Sequence, residues 1–216
     1  IHLDLDLIMP IKNIIFDLGN VLLRLDQDAT AKAFMALGAT SFPSLKDHAS
    51  SEVILAYEKG EISAMEFRQG VRAKMGLLES VTDEEIDKAW NAMLLDFPKG
   101  RLELMRELRT DFGYNVYLLS NTNAIHIEHI DRVCLKDYAE SSLHPFFNKV
   151  HYSHELGLRK PSAEAFEAIV KDLGINMDET LFLDDMLENV EAARGCGLQA
   201  VQVDVETDLG FLQLRF

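Results

Sequence analysis

The sequence predicts an α/β protein, a Rossmann-like doubly wound parallel sheet with a helical segment inserted after the first strand. Short apolar runs rich in β-branched and aromatic residues indicate strands that are buried on both faces. Amphipathic helical patterns separate the later runs, as in βαβ units. A long segment after the first run contains helical patterns and no convincing strand. The 216 residues are enough for one such sheet and an insertion.

Five apolar runs are the predicted strands, and helices are predicted between the later ones. The runs are Ile11–Asp17, Asn115–Ser120, Asn148–Ser153, Thr180–Asp184 and Gln199–Val203. The helical patterns cover approximately 123–137, 162–173 and 187–195. In open parallel sheets, functional sites lie at the carboxyl ends of the strands, so the residues that follow these runs are the candidates for chemistry.

The inserted segment is predicted to be a helical domain with its own start and stop signals. Gly60 is a helix stop signal. Two sequences fit the capping box, in which a hydroxyl and a carboxylate three residues later satisfy free backbone amides: Ser63–Glu66 and Thr82–Glu85. The predicted domains are a sheet domain, residues 11–25 and 98–216, and a helical domain, residues 26–97.

Composition and charge exclude several classes of partner. A formal net charge of −15 argues against nucleic acid and anionic membranes, which bind clustered Lys and Arg. No apolar run reaches the ~18 residues of a membrane helix, and Ile1–Pro10 lacks the basic region of a signal peptide. Cys134 and Cys196 do not make a disulfide framework, so we expect a cytoplasmic protein. The oligomeric state is open, and a homodimer is compatible with the sequence.

Polar side chains occur where the predicted strands end. They are Asp17 after the first strand, Ser120-Asn121 at the second, Lys160 in a loop after the third, and Asp184-Asp185 at the fourth. Singly, each is compatible with a turn, a helix cap or a solvated charge. Together they place three carboxylates at one sheet edge, where Mg²⁺ would relieve their repulsion and also bind a phosphate. Lysine and a hydroxyl would complete a phosphate-binding site.

These motifs resemble those of the haloacid dehalogenase-like superfamily from Ile11 to about Val203. The matching segments are Ile15-Phe16-Asp17-Leu18-Gly19-Asn20-Val21-Leu22, Leu118-Leu119-Ser120-Asn121-Thr122, Ser153-His154-Glu155-Leu156-Gly157-Leu158-Arg159-Lys160-Pro161 and Leu181-Phe182-Leu183-Asp184-Asp185. Within the superfamily, the chain is similar to bacterial phosphatases acting on sugar 1-phosphates such as glucose 1-phosphate. It is also similar to the N-terminal phosphatase domain of soluble epoxide hydrolases. The resemblance implies a phosphatase for a small phosphorylated metabolite, with segment 26–97 as a cap domain.

The resemblance also implies roles for single residues. Asp17 would attack phosphorus and form an aspartyl-phosphate. Mg²⁺ would be held by the carboxylates of Asp17 and Asp185 and by the carbonyl of Gly19, with Asp184 acting through water or a second shell.

The remaining matching positions would handle the phosphoryl group. Ser120 and the amide of Asn121 would hold its oxygens, and Lys160 would neutralise charge on it and on the nucleophile. Asn189 either orients the loop after Asp185 or packs its helix.

One position departs from the superfamily pattern. Most of its phosphatases carry a second Asp two residues after the nucleophile as general acid and base, and this chain has Gly19 there. General acid–base catalysis typically raises the reaction rate ~10²–10⁴-fold. Three interpretations stay open: a substrate with a good leaving group such as a sugar 1-phosphate, a substitute acid such as Glu58 or Tyr57, or a binding protein that turns over slowly or not at all.

Other chemistries fit the sequence less well. A halide-removing enzyme needs no metal, and without one the pair Asp184-Asp185 only repels the nucleophile. A phosphate mutase needs the second Asp that Gly19 replaces. Several histidines lie between 126 and 154, but no carboxylate or cysteine pattern completes a metal site there, so we expect surface or loop histidines.

Overall fold

The computed structural model describes residues 11–40 and 52–213, in which a parallel sheet of five strands has the order β3-β2-β1-β4-β5. Every neighbouring pair of strands is parallel. The strands are β1 Asn13–Phe16, β2 Asn115–Ser120, β3 Lys149–Tyr152, β4 Thr180–Asp184 and β5 Gln199–Gln202. The predicted Rossmann-like sheet is therefore confirmed, with β1 at its centre.

The strand bounds differ from the predicted ones by one or two residues at three strands. The predicted β1, β3 and β5 are longer than the observed strands because their terminal residues, among them Asn148, Ser153 and Val203, lie outside the strands. Ser153, predicted to end β3, begins a short helix instead. The predicted bounds of β2 and β4 are confirmed.

Alternate residues of the strands pack on opposite faces of the sheet, as the period of two requires. Ile14 and Phe16 of β1 belong to one core cluster with Leu118, and Ile15 belongs to the cluster on the other face with Phe182. The central strands are fully buried because helices cover both faces. This explains why these runs are continuously apolar rather than alternating.

The helices follow the chain in this order: α1 Gln27–Ala36, α2 Glu52–Glu58, α3 Ala64–Met75, α4 Asp83–Trp90, α5 Arg101–Thr110, α6 Ala124–Tyr138, α7 Ser153–Leu156, α8 Ala163–Leu173 and α9 Leu187–Gly195. Short 3-10 turns lie at Asn91–Met93, His144–Phe146, Met177–Glu179 and Leu209–Gln213. No helix in these described ranges is long and apolar enough to cross a membrane. Cys134 and Cys196 are free thiols.

Helices α1 to α4 have a core of their own and, with the 3-10 turn at Asn91–Met93, form what we call the helical module. Phe34, Phe67 and Trp90 lie in this cluster, and Tyr57 stacks on Phe67 with ring centroids 4.3 Å apart. Both predicted capping boxes are present, at the starts of α3 and α4. The predicted domain range 26–97 also includes 41–51, which lies outside the described residues, as do 1–10 and 214–216.

The helical module contacts the sheet domain at the start of α6 and at α7. The Tyr57 hydroxyl accepts a hydrogen bond from Ile125 N at 3.2 Å, and Trp90 Nε1 donates to Asn123 Oδ1 at 3.4 Å. Gly60 lies so close to α7 that a Cβ on it would be 2.1 Å from the carbonyl oxygen of His154. These contacts hold the module over the carboxyl edge of the sheet.

The contact at Gly60 predicts a site-specific loss of stability. Gly60 and Gly174 have φ values of 67° and 64°, but a Cβ at Gly174 would meet nothing within 4 Å. Gly174→Ala should cost about 1–2 kcal/mol, the strain of a left-handed residue. Gly60→Ala should cost about 1–3 kcal/mol more because its methyl group collides with backbone. Urea unfolding of both variants measures the difference, and equal losses would contradict the packing described.

Candidate active site

The chemically active side chains meet at the carboxyl ends of β1, β2 and β4, which are neighbours in the sheet. Asp17 follows β1, Ser120 ends β2 and Asp184 ends β4. One carboxylate oxygen from each of Asp17, Asp184 and Asp185 lies within 4.8 Å of the other two. The strand-end residues singled out in the sequence are thus brought together at one edge.

Lys160 is buried among these carboxylates. Its Nζ lies 2.6 Å from Asp17 Oδ1 and 2.6 Å from Asp184 Oδ2, and its side chain is 1% exposed. A buried ammonium is costly unless it is paired and hydrogen-bonded, and here two carboxylates satisfy it. The lysine therefore bridges the end of β1 and the end of β4.

The side chain of Asn121 fixes the backbone of Lys160. Its Oδ1 accepts a hydrogen bond from Lys160 N at 2.9 Å, and its Nδ2 donates to Lys160 O at 2.9 Å. Both bonds join β2 to the loop after α7 at the point where the lysine enters the site. The sequence pattern indicated a polar turn residue at position 121 but not this pairing.

The tandem carboxylates are held in different ways. Asp184 is fully buried, and its two oxygens accept hydrogen bonds from Asn189 Nδ2 at 2.9 and 3.1 Å and from Met186 N at 2.8 Å. Asp185 is partly exposed and accepts one bond, from Asn20 Nδ2 at 3.2 Å. Asn189 therefore orients Asp184, and Asp185 is the more available of the two carboxylates.

Burial and mutual repulsion disfavour the ionised carboxylates. Burial raises the pKa of Asp17 to about 7, Lys160 opposes that rise, and Asp184 adds to it. Burial and Asp184 also raise the pKa of Asp185. Burial acts to lower the pKa of Lys160, but attraction to Asp17 and Asp184 outweighs it and leaves the pKa raised. The lysine is charged, and its one positive charge faces three carboxylates.

This donor set suits a hard divalent cation. The carboxylate oxygens of Asp17, Asp184 and Asp185 are close enough to share one ion, and no sulfur or imidazole ligand belongs to the cluster. Such an ion would offset the negative charge that the lysine leaves uncompensated. Among the described residues, this is the group of acidic and metal-ligating side chains with the geometry of a metal site.

A cavity of about 320 Å³ lies between this edge and the helical module. Asp17, Ser120, Lys160 and Asp185 line its floor. Side chains of the module and the segment that follows it line the opposite wall: Gln27, Ile54, Glu58, Trp90, Met93 and Leu94. The volume is at the lower end of the roughly 300–1,000 Å³ usual for ligand sites, so a small molecule fits.

The two residues suggested as substitutes for the missing acid have different positions. Glu58 lines the cavity and forms an ion pair with Arg159, with Oε2 3.0 Å from Nη2. Burial raises the pKa of Glu58, whereas Arg159 opposes that rise. Tyr57 is absent from the described cavity lining, and its hydroxyl is bonded to Ile125 N. Of the two, Glu58 is the one that a ligand in the cavity can reach.

Two histidines contradict the expectation of surface or loop positions. His126 is 8% exposed, stacks on Trp90 and lines the cavity. His151 is buried on β3, with Nε2 2.7 Å from Asp172 Oδ2. The expectation was wrong because both rings gain partners that are distant in sequence. An i, i+3 histidine pattern carries no signal for such contacts.

Comparison with known proteins shows the family to which the chain belongs. A family model described as haloacid dehalogenase-like hydrolase matches residues 11–197. D-ribitol-5-phosphate phosphatase of Bacteroides thetaiotaomicron is 31% identical over 201 residues, which are 92% of this chain and 94% of that protein.

Solved structures share the whole architecture. A HAD family enzyme of Bacteroides thetaiotaomicron, solved in complex with magnesium and inorganic phosphate, superposes with a TM-score of 0.80 at 36% identity, covering 94% of this chain and 98% of that chain. A HAD-like family hydrolase of Porphyromonas gingivalis has a TM-score of 0.83 at 28% identity, covering 95% and 98%.

The pairing of Asn121 with Lys160 gives a testable expectation. Asn121→Ala removes two hydrogen bonds, each contributing about 0.5–1.5 kcal/mol, so the free energy of unfolding should fall by about 1–3 kcal/mol. The control is Asn176→Ala, which removes one hydrogen bond of an exposed side chain to Glu179 and should change stability by less than about 0.5 kcal/mol. Urea unfolding compares the two, and similar small losses would show that Asn121 does not fix the lysine.

Proposed function

We propose that this chain, which belongs to the haloacid dehalogenase-like hydrolase family, is a magnesium-dependent phosphatase that hydrolyses a small phosphate monoester through an aspartyl-phosphate on Asp17. The observation that carries the proposal is the contact of Lys160 Nζ with Asp17 Oδ1 at the floor of the cavity, where the carboxylates of Asp184 and Asp185 lie close to Asp17. A nucleophilic carboxylate, a buried cation beside it and a cation-binding donor set are the parts that phosphoryl transfer requires.

The relatives support hydrolysis of a phosphate ester rather than removal of a halide. The relative that is 31% identical is named a phosphatase, and the related structure with 36% identity contains magnesium and inorganic phosphate. The alternative of halide removal leaves Asp184 and Asp185 without a purpose near the nucleophile. A phosphatase gives both carboxylates a role.

The residues present would hold Mg²⁺ between Asp17, Asp185 and the carbonyl of Gly19. Asp184 would act less directly because Asn189, Met186 N and Lys160 already occupy its oxygens. When bound, the ion would neutralise the carboxylates and the phosphate oxygens, which lowers the repulsion between an anionic substrate and an acidic protein.

The side chains of this chain then perform the transfer. An Asp17 carboxylate oxygen attacks phosphorus, a new P–O bond forms, and the ester P–O bond breaks with its electrons on the leaving oxygen, which takes a proton from solvent or a nearby acid. Lys160 and Ser120 stabilise the charge on the phosphoryl oxygens. Water attacks the aspartyl-phosphate, loses a proton to solvent or a nearby base, and releases phosphate with Asp17 restored. The helical module serves as the cap that excludes bulk water.

We propose a sugar phosphate as the substrate, with a sugar 1-phosphate favoured by the residue at position 19. An anomeric oxygen is less basic than an ordinary alcohol, so it leaves with less help from an acid. The relative named for D-ribitol 5-phosphate extends the candidate class to sugar alcohol phosphates, whose primary oxygen needs that help more. For such a substrate, Glu58 is the cavity residue available as a substitute acid.

Removal of the nucleophile tests the activity itself. With Mg²⁺, the wild-type protein should release phosphate from sugar phosphates, and EDTA should abolish release. Asp17→Asn should reduce kcat by at least ~10³-fold because an amide is a far weaker nucleophile. Asp178→Asn, an exposed carboxylate away from the cavity, is the matched control and should retain full activity. If the wild-type protein hydrolyses no ester in a broad panel, the proposed phosphatase activity is wrong, and the alternative of a protein that binds a phosphorylated metabolite or a partner gains support.

Restoring the second carboxylate tests the leaving-group argument. A Cβ at Gly19 would lie 2.7 Å from Leu25 Cδ1, so the variant is best made with Leu25→Ala to provide space. Gly19→Asp with Leu25→Ala should raise kcat for simple alkyl phosphates by ~10-fold or more, and raise it less for sugar 1-phosphates.

The matched control for this pair is Gly19→Asn with Leu25→Ala, which has the same shape without an acid. Steady-state kinetics on alkyl phosphates and sugar 1-phosphates compares the two double variants. Equal effects of Asp and Asn, or equal gains on both substrate classes, would contradict the leaving-group argument.

A further inference from the structure

The cavity wall includes the imidazole of His126, and its hydrogen bonds define what it can offer a ligand. His126 lies in the first turn of α6, where its backbone N–H donates to the capping Asn123 Oδ1 at 3.1 Å. Its Nδ1 lies 2.8 Å from Asn91 Oδ1, in the 3-10 turn that follows α4. The ring therefore joins the sheet domain to the helical module.

The ring is also held in one orientation. It stacks on Trp90 with centroids 5.0 Å apart and planes only 6° from parallel. Trp90 Nε1 donates to Asn123 Oδ1, the same oxygen that caps α6. A stacked, hydrogen-bonded and buried ring loses little freedom when a ligand binds, so its polar atoms are preorganised.

The bond to Asn91 determines the tautomer. An amide oxygen only accepts hydrogen bonds, so Nδ1 carries the proton and Nε2 has a free lone pair. Burial, with a smaller contribution from His129, lowers the pKa of His126 to about 3, so the ring is neutral at the pH of any ordinary assay. Within residues 11–40 and 52–213, no protein donor is bonded to Nε2.

Apolar side chains form much of the cavity lining, with Leu25, Ile54, Met93 and Leu94 among them. An isolated hydrogen-bond acceptor in such a lining can orient a ligand, because a few precisely positioned polar groups determine specificity in an apolar pocket. Asp17, Ser120 and Lys160 line the same cavity, so one small molecule can contact both the phosphate-handling floor and this ring.

We propose that His126 Nε2 accepts a hydrogen bond from a hydroxyl group of the substrate and so selects polyol phosphates, sugar or sugar alcohol, over alkyl phosphates of similar size. The proposal rests on the phosphatase function proposed above and adds the residue that recognises the alcohol portion. Asn91 is a positioning residue that fixes the acceptor tautomer. The neutral Nε2 carries no proton, so His126 does not replace the acid that Gly19 lacks.

The test compares ribitol 5-phosphate with pentyl phosphate, two five-carbon primary phosphates that differ in hydroxyl groups. His126→Phe keeps a ring to stack on Trp90 but removes the acceptor. The ratio of kcat/KM for the polyol to that for the alkyl phosphate should fall about tenfold or more. His126→Gln offers an amide oxygen and should recover part of the ratio.

The control is His129→Phe, on the same helix but outside the described cavity lining, and it should leave the ratio at the wild-type value. Circular dichroism checks that each variant is folded. An unchanged ratio in folded His126→Phe, or an equal fall in His129→Phe, would overturn the proposal. If His126→Phe does not fold, His126→Leu takes its place as a variant without an acceptor, and an unchanged ratio in folded His126→Leu would overturn the proposal equally.

Two readouts separate this proposal from the phosphatase function. In the Asp17→Asn background, calorimetry should show that His126→Phe weakens ribitol 5-phosphate binding about tenfold relative to pentyl phosphate, with or without turnover in the wild-type protein. Nitrogen-15 NMR of His126 should show the neutral Nδ1–H tautomer, and Asn91→Leu should convert it to a mixture. A protonated Nε2 in the wild-type protein would also overturn the proposal.

Discussion

The pairing of Lys160 with Asp17 and Asp184 is the interaction on which the rest of the site depends. A charge that is 1% exposed is tolerated only when its partners are fixed in place, because a misplaced partner leaves an unpaired charge in a region of low dielectric. This requirement explains the polar shell around it. Asn121 fixes the lysine backbone and Asn189 fixes Asp184. The side-chain amide of each residue thus holds one member of the ion pair in place.

The same requirement gives the helical module an electrostatic role. Charges act more strongly on one another when water is excluded, so a site with one lysine and several carboxylates is sensitive to what covers it. The module contacts the sheet domain through buried hydrogen bonds of Tyr57, Trp90 and Asn91. All three reach the start of α6, directly after the strand that ends in Ser120. The helical module and the floor of the cavity are thus connected through the same short segment of the chain.

The sequence predicts the floor of the site well and its walls poorly. Asp17, Ser120 and Asp184 are predictable because parallel strands end at one edge and buried strands do not otherwise end in such residues. The pairing of Glu58 with Arg159, and of Asn91 with His126, joins residues far apart in sequence. No local period or motif encodes those contacts, since they depend on how the helical module sits on the sheet. That is why His126 was expected at the surface.

The residue at position 19 is better understood together with Leu25 than alone. A Cβ at position 19 would lie 2.7 Å from Leu25 Cδ1, and both residues line the cavity. The space that a carboxylate would need is therefore partly filled by an apolar side chain. The glycine at position 19 and the packing of Leu25 against it therefore fit each other, and the missing acid is a feature of how this site is packed. An apolar side chain in this space agrees with the proposed substrates, whose leaving groups depart without a proton from position 19.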